Sequence, residues 1–385
     1  CRVSGGDPSC LVAIYTGHSR DTQTQNLAVS QDRGRTWQKY AGNPVIDIGL
    51  REFRDPKVFW HAPTARWVMV VALPDEHKVR FYASRDLKAW TFLSDFGPAG
   101  ATGGVWECPD LMQVPVEHDP TQSRWVLDVD VNPGGPQGGS GGQYFVGDFD
   151  GTRFVSDTPA SAEALWADHG KDFYASISFS DLPSQDRGPI WMGWISNWQY
   201  ANDEPTMTWR GAQSIPRRLR VRRTPDGWRL LQQPAGGLGT LVAGDARKHQ
   251  ELRSTPLPLP PSADITFVVT AGDTEDVGLR FSNDNGEEAI VAVSADHRTL
   301  SIDRERSRLG ESSKGYAERH TAPLRPSAQI PIRVIFDVSV IEVFANEGET
   351  VTLRATILNN GEIDAHDVMV QFVDVTAKSP VPITA

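Results

Sequence analysis

Two acidic residues of this 385-residue chain stand in surroundings that suit acid–base chemistry. Asp55 lies between Arg54, whose guanidinium can keep a carboxylate ionised, and Pro56, which favours a backbone bend. Glu107 is flanked by a tryptophan and a cysteine, and apolar neighbours favour the protonated form that a general acid needs. Two carboxyl groups in one pocket can hydrolyse a glycosidic bond. We therefore predict that Asp55 and Glu107 are catalytic, against the alternatives of a surface ion pair and a solvated strand end.

Tryptophan is abundant, with 12 in the chain, and several stand close together near residue 200. Flat indole rings with amide side chains between them are typical of surfaces on which sugar rings stack, although tryptophan also fills β cores. Alternation along the strand suggests that Trp191 or Trp194 is a core residue and that Trp198 is the better candidate for contact with a ligand.

The elements that must position these residues are short β-strands. They recur in groups of about four, each group spanning roughly 40–50 residues, which is typical of a β-propeller. Asp55 and Glu107 are separated by about one such repeat, so we expect both to face the central funnel. Three Asp- or Gly-containing turns are interpreted as structural hairpins: Ser30 to Trp37, Ser84 to Trp90 and Asp148 to Thr152.

The pattern changes near residue 235, where clean alternating strands replace the tryptophan-rich groups. These strands predict an antiparallel sandwich. We predict a propeller domain over residues 1–235, a linker over 236–260 and a β-sandwich domain over 261–385.

Composition excludes several classes of function. A net charge of −11 argues against a nucleic-acid partner, and no apolar run is long enough to span a membrane. The three cysteines lack metal-site spacing, and no metal or organic cofactor is implied. Because the first residue is Cys1, we interpret the chain as processed or truncated.

These motifs together resemble glycoside hydrolase family 32, the β-fructosidases. Besides Arg54-Asp55-Pro56 and Glu107-Cys108-Pro109, the similarity covers nearly the whole chain and includes Asn197-Trp198-Gln199-Tyr200. The resemblance implies a five-bladed propeller followed by a β-sandwich. It also implies that Glu107 is the general acid/base and Asp55 the transition-state stabiliser. The substrate-binding residues implied are Arg54, Ser4, Trp106, Cys108, Trp198 and Trp209.

One departure from the family pattern is large. The family's nucleophile lies in an Asn-Asp-Pro-Asn motif in the first blade, and no Asn-Asp-Pro occurs in these 385 residues. We therefore expect the propeller to be incomplete at its N-terminus. A separate N-terminal fragment or second chain could complete it, the segment could be missing only from the given sequence, or the chain could be a non-catalytic fructan binder.

The predicted function is retaining hydrolysis of β-fructofuranosyl linkages in inulin, levan or sucrose. A transferase that forms difructose anhydrides is the alternative of the same class, and a sialidase is a more distant one. Secretion is expected from the family's polymeric substrates.

Overall fold

A computed structural model describes most of the chain, and its described residues form two compact units. Regular structure in this part is almost wholly β, interrupted by short 3-10 turns. No helix among the described residues has the length and apolar character needed to cross a membrane. The described residues are 10–180, 182, 188–204, 209–240, 256–270, 276–307, 315–355, 368–374 and 381–382. Unit 1 comprises Cys1–Gly134, Gly142–Leu165 and Ala175–Pro189, and unit 2 comprises Gly135–Gly141, Trp166–Tyr174 and Ile190–Ala385.

Unit 1 is built from successive antiparallel sheets. Strands β1 to β3 form the first, β4 to β7 the second, and β8 to β11 a third series in which each strand pairs with the next. The strands are β1 Leu11–His18, β2 Gln23–Ser30, β3 Gln38–Lys39, β4 Arg54–His61, β5 Arg66–Leu73, β6 Lys78–Ser84, β7 Thr91–Phe96, β8 Val105–Val116, β9 Asp119–Asn132, β10 Gly141–Phe149, β11 Phe154–Ser156, β12 Leu165–Trp166 and β13 Tyr174–Ser178.

The core of unit 1 lies between these sheets. Val68 and Val70 of β5 and Phe81 of β6 pack with Leu127 and Val129 of β9, all without exposed surface. Successive residues of β5 and β9 are buried on both faces, since these strands are covered by neighbouring sheets.

The predicted hairpin turns of unit 1 are structural. In the first, the Ser30 hydroxyl accepts the Gly34 amide at 2.8 Å, and Trp37 Nε1 donates to the Gly34 carbonyl at 3.1 Å. In the second, Trp90 Nε1 donates to the Leu87 carbonyl, also at 3.1 Å. Both indole rings thus close a turn through their own N–H group.

Unit 2 contains a further antiparallel series followed by two facing sheets. One of these sheets has the order β18-β27-β20-β21-β22-β23 with β28 on β27, and the other has the order β19-β24-β25-β26. Its strands are β14 Ile190–Ile195, β15 Ala212–Gln213, β16 Arg217–Thr224, β17 Gly227–Pro234, β18 Leu257–Pro258, β19 Ser262–Thr270, β20 Val277–Ser282, β21 Glu288–Val293, β22 Thr299–Asp303, β23 Arg319–Pro323, β24 Gln329–Asp337, β25 Val340–Ala345, β26 Thr350–Ala355, β27 Met369–Asp374 and β28 Val381–Pro382.

A single apolar core joins the two facing sheets. The rings of Phe281 on β20 and Phe336 on β24 stack with centroids 5.6 Å apart, and both side chains are fully buried. Two antiparallel sheets packed face to face through such a core form a β-sandwich.

Unit 2 also holds a buried ionic network. Arg217 has no exposed surface and donates to Glu342 through Nη2 at 2.9 Å and to Asp168 through Nη1 at 2.9 Å. Gln232 accepts from the same Nη1 at 3.0 Å. A fully buried guanidinium is tolerated because each carboxylate compensates its lost hydration.

The fold is therefore an N-terminal β-propeller followed by a C-terminal β-sandwich, as the sequence predicts. The number of blades and the domain limits at residues 235 and 261 stay predictions. In the structure, β17 ends at Pro234 and β19 begins at Ser262.

Candidate active site

The first predicted acid lies at a bulge near the start of β4. Pairing with β5 shifts between Arg54 and Lys57, and Asp55 there has φ +63°, in the left-handed region. The Asp55 amide donates to Thr16 Oγ1 at 3.2 Å. The Phe53 amide donates to Gln23 Oε1 at 2.8 Å. This is the bend that the proline favours, and it frees Arg54 and Asp55 from strict alternation across the strand.

The second predicted acid lies at a matching bulge in β8. Pairing with β9 shifts between Glu107 and Asp110, and Cys108 there has φ +48°. Ala175, near the start of β13, has φ +51°. Positive φ is uncommon for residues other than glycine, so the starts of these three strands share an unusual backbone conformation.

One guanidinium joins the two acids. Arg54 Nε lies 3.1 Å from Oε1 of Glu107 and 3.9 Å from Oδ2 of Asp55, and its Nη2 lies 3.0 Å from the same Glu107 oxygen. The Cys108 amide donates to Asp55 Oδ2 at 3.0 Å. The structure therefore brings Arg54, Asp55, Glu107 and Cys108 together.

The surroundings of Glu107 are more polar than the sequence predicts. Glu107 does not lie among apolar groups alone, because Arg54 contacts it and its side chain is 18% exposed. Glu52 forms a second ion pair with Arg54. Burial raises the pKa of Asp55, and the Glu107 charge adds to the rise, while the Cys108 amide and Arg54 oppose it. The site thus holds three carboxyl groups around one cation.

Further acidic residues are buried near Asp55 and Glu107. Asp130 on β9 stands opposite Glu107 in the strand register, and Asp128 stands opposite Asp110. The Ser176 hydroxyl donates to Asp128 at 2.6 Å. Burial raises the pKa of both Asp128 and Asp130 well above the usual range, and the Asp128 charge adds to the rise at Asp130.

The three buried aspartates differ in their partners. Asp110 has Lys57 Nζ at 3.5 Å, with the Ser178 amide donating at 2.7 Å. In the part of the chain that the structure describes, no cation lies within ion-pair distance of Asp128 or Asp130. Unpaired buried carboxyl groups are stable only as neutral acids.

Two side chains of unit 1 that were predicted to contact substrate, those of Trp106 and Cys108, are wholly or partly buried. Trp106 is completely buried, and its Nε1 donates to the Ala101 carbonyl at 2.9 Å, so it packs in the core rather than against a ligand. Burial raises the pKa of the Cys108 thiol well above its usual value, so its backbone amide, rather than a thiolate, is its contribution.

The remaining predicted contacts lie elsewhere. Trp198 and Trp209 belong to unit 2, where they are 50% and 48% exposed. The Trp198 ring lies 5.2 Å from that of Trp194, and Trp191 is fully buried, which confirms the expectation that one of Trp191 and Trp194 is a core residue. Ser4 lies outside the described residues.

Sequence reasoning missed Glu52, Gln23, Thr16 and Asp130. Glu52, two positions before Arg54, lies in the bend that precedes β4, and its nearness in sequence to a guanidinium was the only local signal. The others come from different strands, and only the folded register reveals them. No group of metal-ligating residues occurs among the described residues.

Carboxyl groups that share a partly buried site beside a guanidinium can transfer protons and stabilise a developing cation. On a β-propeller followed by a sandwich, such a site is typical of proteins of the glycosidase class.

Comparison with known families agrees with this class. The N-terminal domain model of glycosyl hydrolases family 32 matches residues 4–234, and the family's C-terminal model matches residues 242–356. The chain belongs to glycosyl hydrolase family 32.

Several characterised proteins are similar over most of the chain. A levanase of Bacillus subtilis is 44% identical over 361 residues, covering 90% of this chain and 52% of the levanase, so the chain spans about half its length. An extracellular exo-inulinase of Aspergillus ficuum is 34% identical, covering 91% of this chain and 72% of the inulinase. A solved β-fructofuranosidase of Schwanniomyces occidentalis, complexed with fructosyl-erythritol, is 30% identical with a TM-score of 0.83, covering 97% of this chain and 77% of that one.

Proposed function

We propose that this protein is a retaining glycosidase acting on β-fructofuranosyl linkages of fructans or sucrose. The observation that supports the proposal most strongly is the meeting of Glu107 and Asp55 at one guanidinium. The names of the similar proteins, levanase and exo-inulinase, support the substrate class. Similar proteins are named extracellular, so we also propose secretion.

In the proposed mechanism, Glu107 protonates the leaving glycosidic oxygen. A carboxylate nucleophile attacks the anomeric carbon and forms a fructosyl ester, and Glu107 then takes a proton from the water that hydrolyses it. The nucleophile is not assigned to any of the described residues. Asp55 accepts hydrogen bonds from sugar hydroxyls as positive charge develops, and Arg54 orients both carboxylates. Trp198, Trp209 and Ser4 remain proposed substrate contacts.

Replacing Glu107 by glutamine in the full-length protein tests this proposal. Loss of the proton donor is expected to lower kcat on levan, inulin and sucrose by roughly 10²–10⁴-fold with unchanged thermal unfolding. Glu163→Gln, at an exposed position of unit 1, is the matched control and should retain wild-type turnover. A Glu107→Gln variant with wild-type kcat would remove Glu107 from the mechanism. A wild-type protein that binds fructan without hydrolysing it would favour the non-catalytic alternative.

A further inference from the structure

A shallow depression on the surface of unit 1, called the cavity below, is wide open to solvent and shares no residue with the site around Arg54. Its volume is about 520 Å³, and it lies between the segment that precedes β4 and the outer strands β6 and β7. Its lining residues are Val45, Ile46, Asp47, Ile48, Arg80, Tyr82, Trp90 and Phe92.

Aromatic rings form one part of this cavity. Tyr82 and Phe92 are cross-strand partners, with ring centroids 6.2 Å apart and ring planes at 78°. Phe92 is 52% exposed. Trp90, just before β7, lines the same cavity. The cavity therefore offers apolar ring surface that the described residues leave exposed.

A paired charge lies beside the rings. Arg80 donates to Asp95 through Nε and Nη2, both at 2.8 Å, and its guanidinium carbon lies 5.1 Å from the Phe92 ring centre. The two side chains are 23% and 24% exposed. This two-point pairing, together with a side-chain hydrogen bond between Arg80 and Tyr82, fixes the guanidinium over the ring, and the second lone pairs of the Asp95 carboxylate can accept further hydrogen bonds.

The charge balance selects the class of ligand. Arg80 is compensated by Asp95, and Asp47 adds an exposed carboxylate to the lining, so the cavity has no excess positive charge for a phosphate or another anion. A purely apolar partner would bury these charges at a cost. A neutral ring with many hydroxyl groups fits both features, because its apolar face can cover Phe92 while its hydroxyls reach Arg80, Asp95 and Asp47.

We propose that this cavity is a second, non-catalytic carbohydrate-binding site that holds a fructan chain. The choice of fructan among neutral carbohydrates rests on the proposed function. Such a site raises the local concentration of polymer at the enzyme and leaves the reaction of a disaccharide unchanged.

Phe92→Ala tests the site, with Trp37→Ala as the matched control. Trp37 is a 45% exposed aromatic residue of the same unit and does not line the cavity. Loss of one stacked ring is expected to raise KM for levan or inulin roughly three- to tenfold, with kcat on the polymer and both constants for sucrose unchanged. Trp37→Ala should leave KM for the polymer at the wild-type value.

Binding to polymer can be measured independently of turnover. In the Glu107→Gln background, native gel electrophoresis through levan or inulin should show weaker retardation for Phe92→Ala than for Trp37→Ala. Arg80→Gln, which removes the guanidinium and its two hydrogen bonds to Asp95 but keeps the Phe92 ring, should also weaken retardation. Thermal unfolding of each variant shows whether it is folded.

The outcomes separate this site from the proposed function. Equal retardation of folded Phe92→Ala and Trp37→Ala would overturn the site, as would an equal rise of KM for sucrose and polymer. A change of oligomeric state in Phe92→Ala alone would instead identify the cavity as a contact between copies and overturn the proposal. If the wild-type protein hydrolyses no fructan but retardation still depends on Phe92, the proposed function fails and the binding site stands.

Discussion

The backbone amide of Cys108 donates a hydrogen bond of 3.0 Å to the Oδ2 atom of Asp55. The residue after Glu107 thereby fixes the other acid of the candidate site. This contact joins two strand starts that lie more than 50 positions apart in sequence. Both residues lie at bulges with positive φ, so the backbone of the two strands helps to set the spacing of the two acids that Arg54 orients.

Arg54→Lys tests the role of the shared guanidinium. Arg54 contacts Glu107 through both Nε and Nη2, and a lysine ammonium cannot reproduce that planar geometry. We expect kcat/KM to fall roughly 10- to 100-fold, mainly through kcat, because both acids lose their orientation. Arg51→Lys is the same substitution at a largely exposed position and should leave kcat/KM unchanged. Equal constants for the two variants would show that Arg54 does not position the acids.

Asp55→Asn separates function from folding at the bulge. Asparagine tolerates the left-handed conformation, and its amide oxygen can still accept the Cys108 amide, so the fold should be kept. Loss of the negative charge should lower kcat by at least roughly 100-fold. The measurements are kcat and the urea midpoint of unfolding, with Asp75→Asn, at an exposed position outside both sites, as control.

The same variant should be at least as stable as the wild type at pH 7. Because burial raises the folded-state pKa of Asp55, the folded protein binds more protons than the unfolded chain above the unfolded pKa, and stability falls as pH rises. A large loss of stability in Asp55→Asn would show that the charge itself holds the bulge.

Asp130→Asn should flatten the pH dependence of stability. Its folded pKa is raised well above the unfolded value by burial, so raising the pH above roughly 4 favours the unfolded chain. Each pH unit within that window costs up to about 1.4 kcal/mol for one group. The free energy of unfolding of Asp130→Asn should therefore fall less steeply between pH 4 and 7 than that of the wild type, as urea titrations at several pH values would show. Parallel curves would mean that Asp130 is ionised in the folded protein.

The sequence was sufficient to predict the fold class and to single out Asp55 and Glu107, which the structure brings to one guanidinium and whose catalytic roles stay predictions. Strand repeats and turn residues are local properties, and Asp55 and Glu107 stand in short motifs near strand starts. The contacts between the strands could not be predicted from the sequence. Opposition of Asp130 to Glu107 depends on the register of β8 and β9, which includes a bulge, and the sequence pattern does not fix the register across it.

The case of Trp106 shows where motif reasoning fails. Trp106 and Glu107 are neighbours on β8, and successive strand residues face opposite sides. Since Glu107 contacts the Arg54 guanidinium, Trp106 faces the apolar core, where it has no exposed surface. Proximity in sequence to a candidate catalytic residue therefore did not place the indole at the site.

The most direct test of the central claim is a double-mutant cycle between Asp55 and Glu107. The quantities are kcat/KM on sucrose for the full-length wild type, Asp55→Asn, Glu107→Gln and the double variant, each checked for folding by thermal unfolding. If the two acids serve one reaction, the double variant should lose little more than the more impaired single variant, because residues that act as a unit are strongly non-additive. Losses that multiply, with both acids contributing independently, would contradict the shared site on which the account depends.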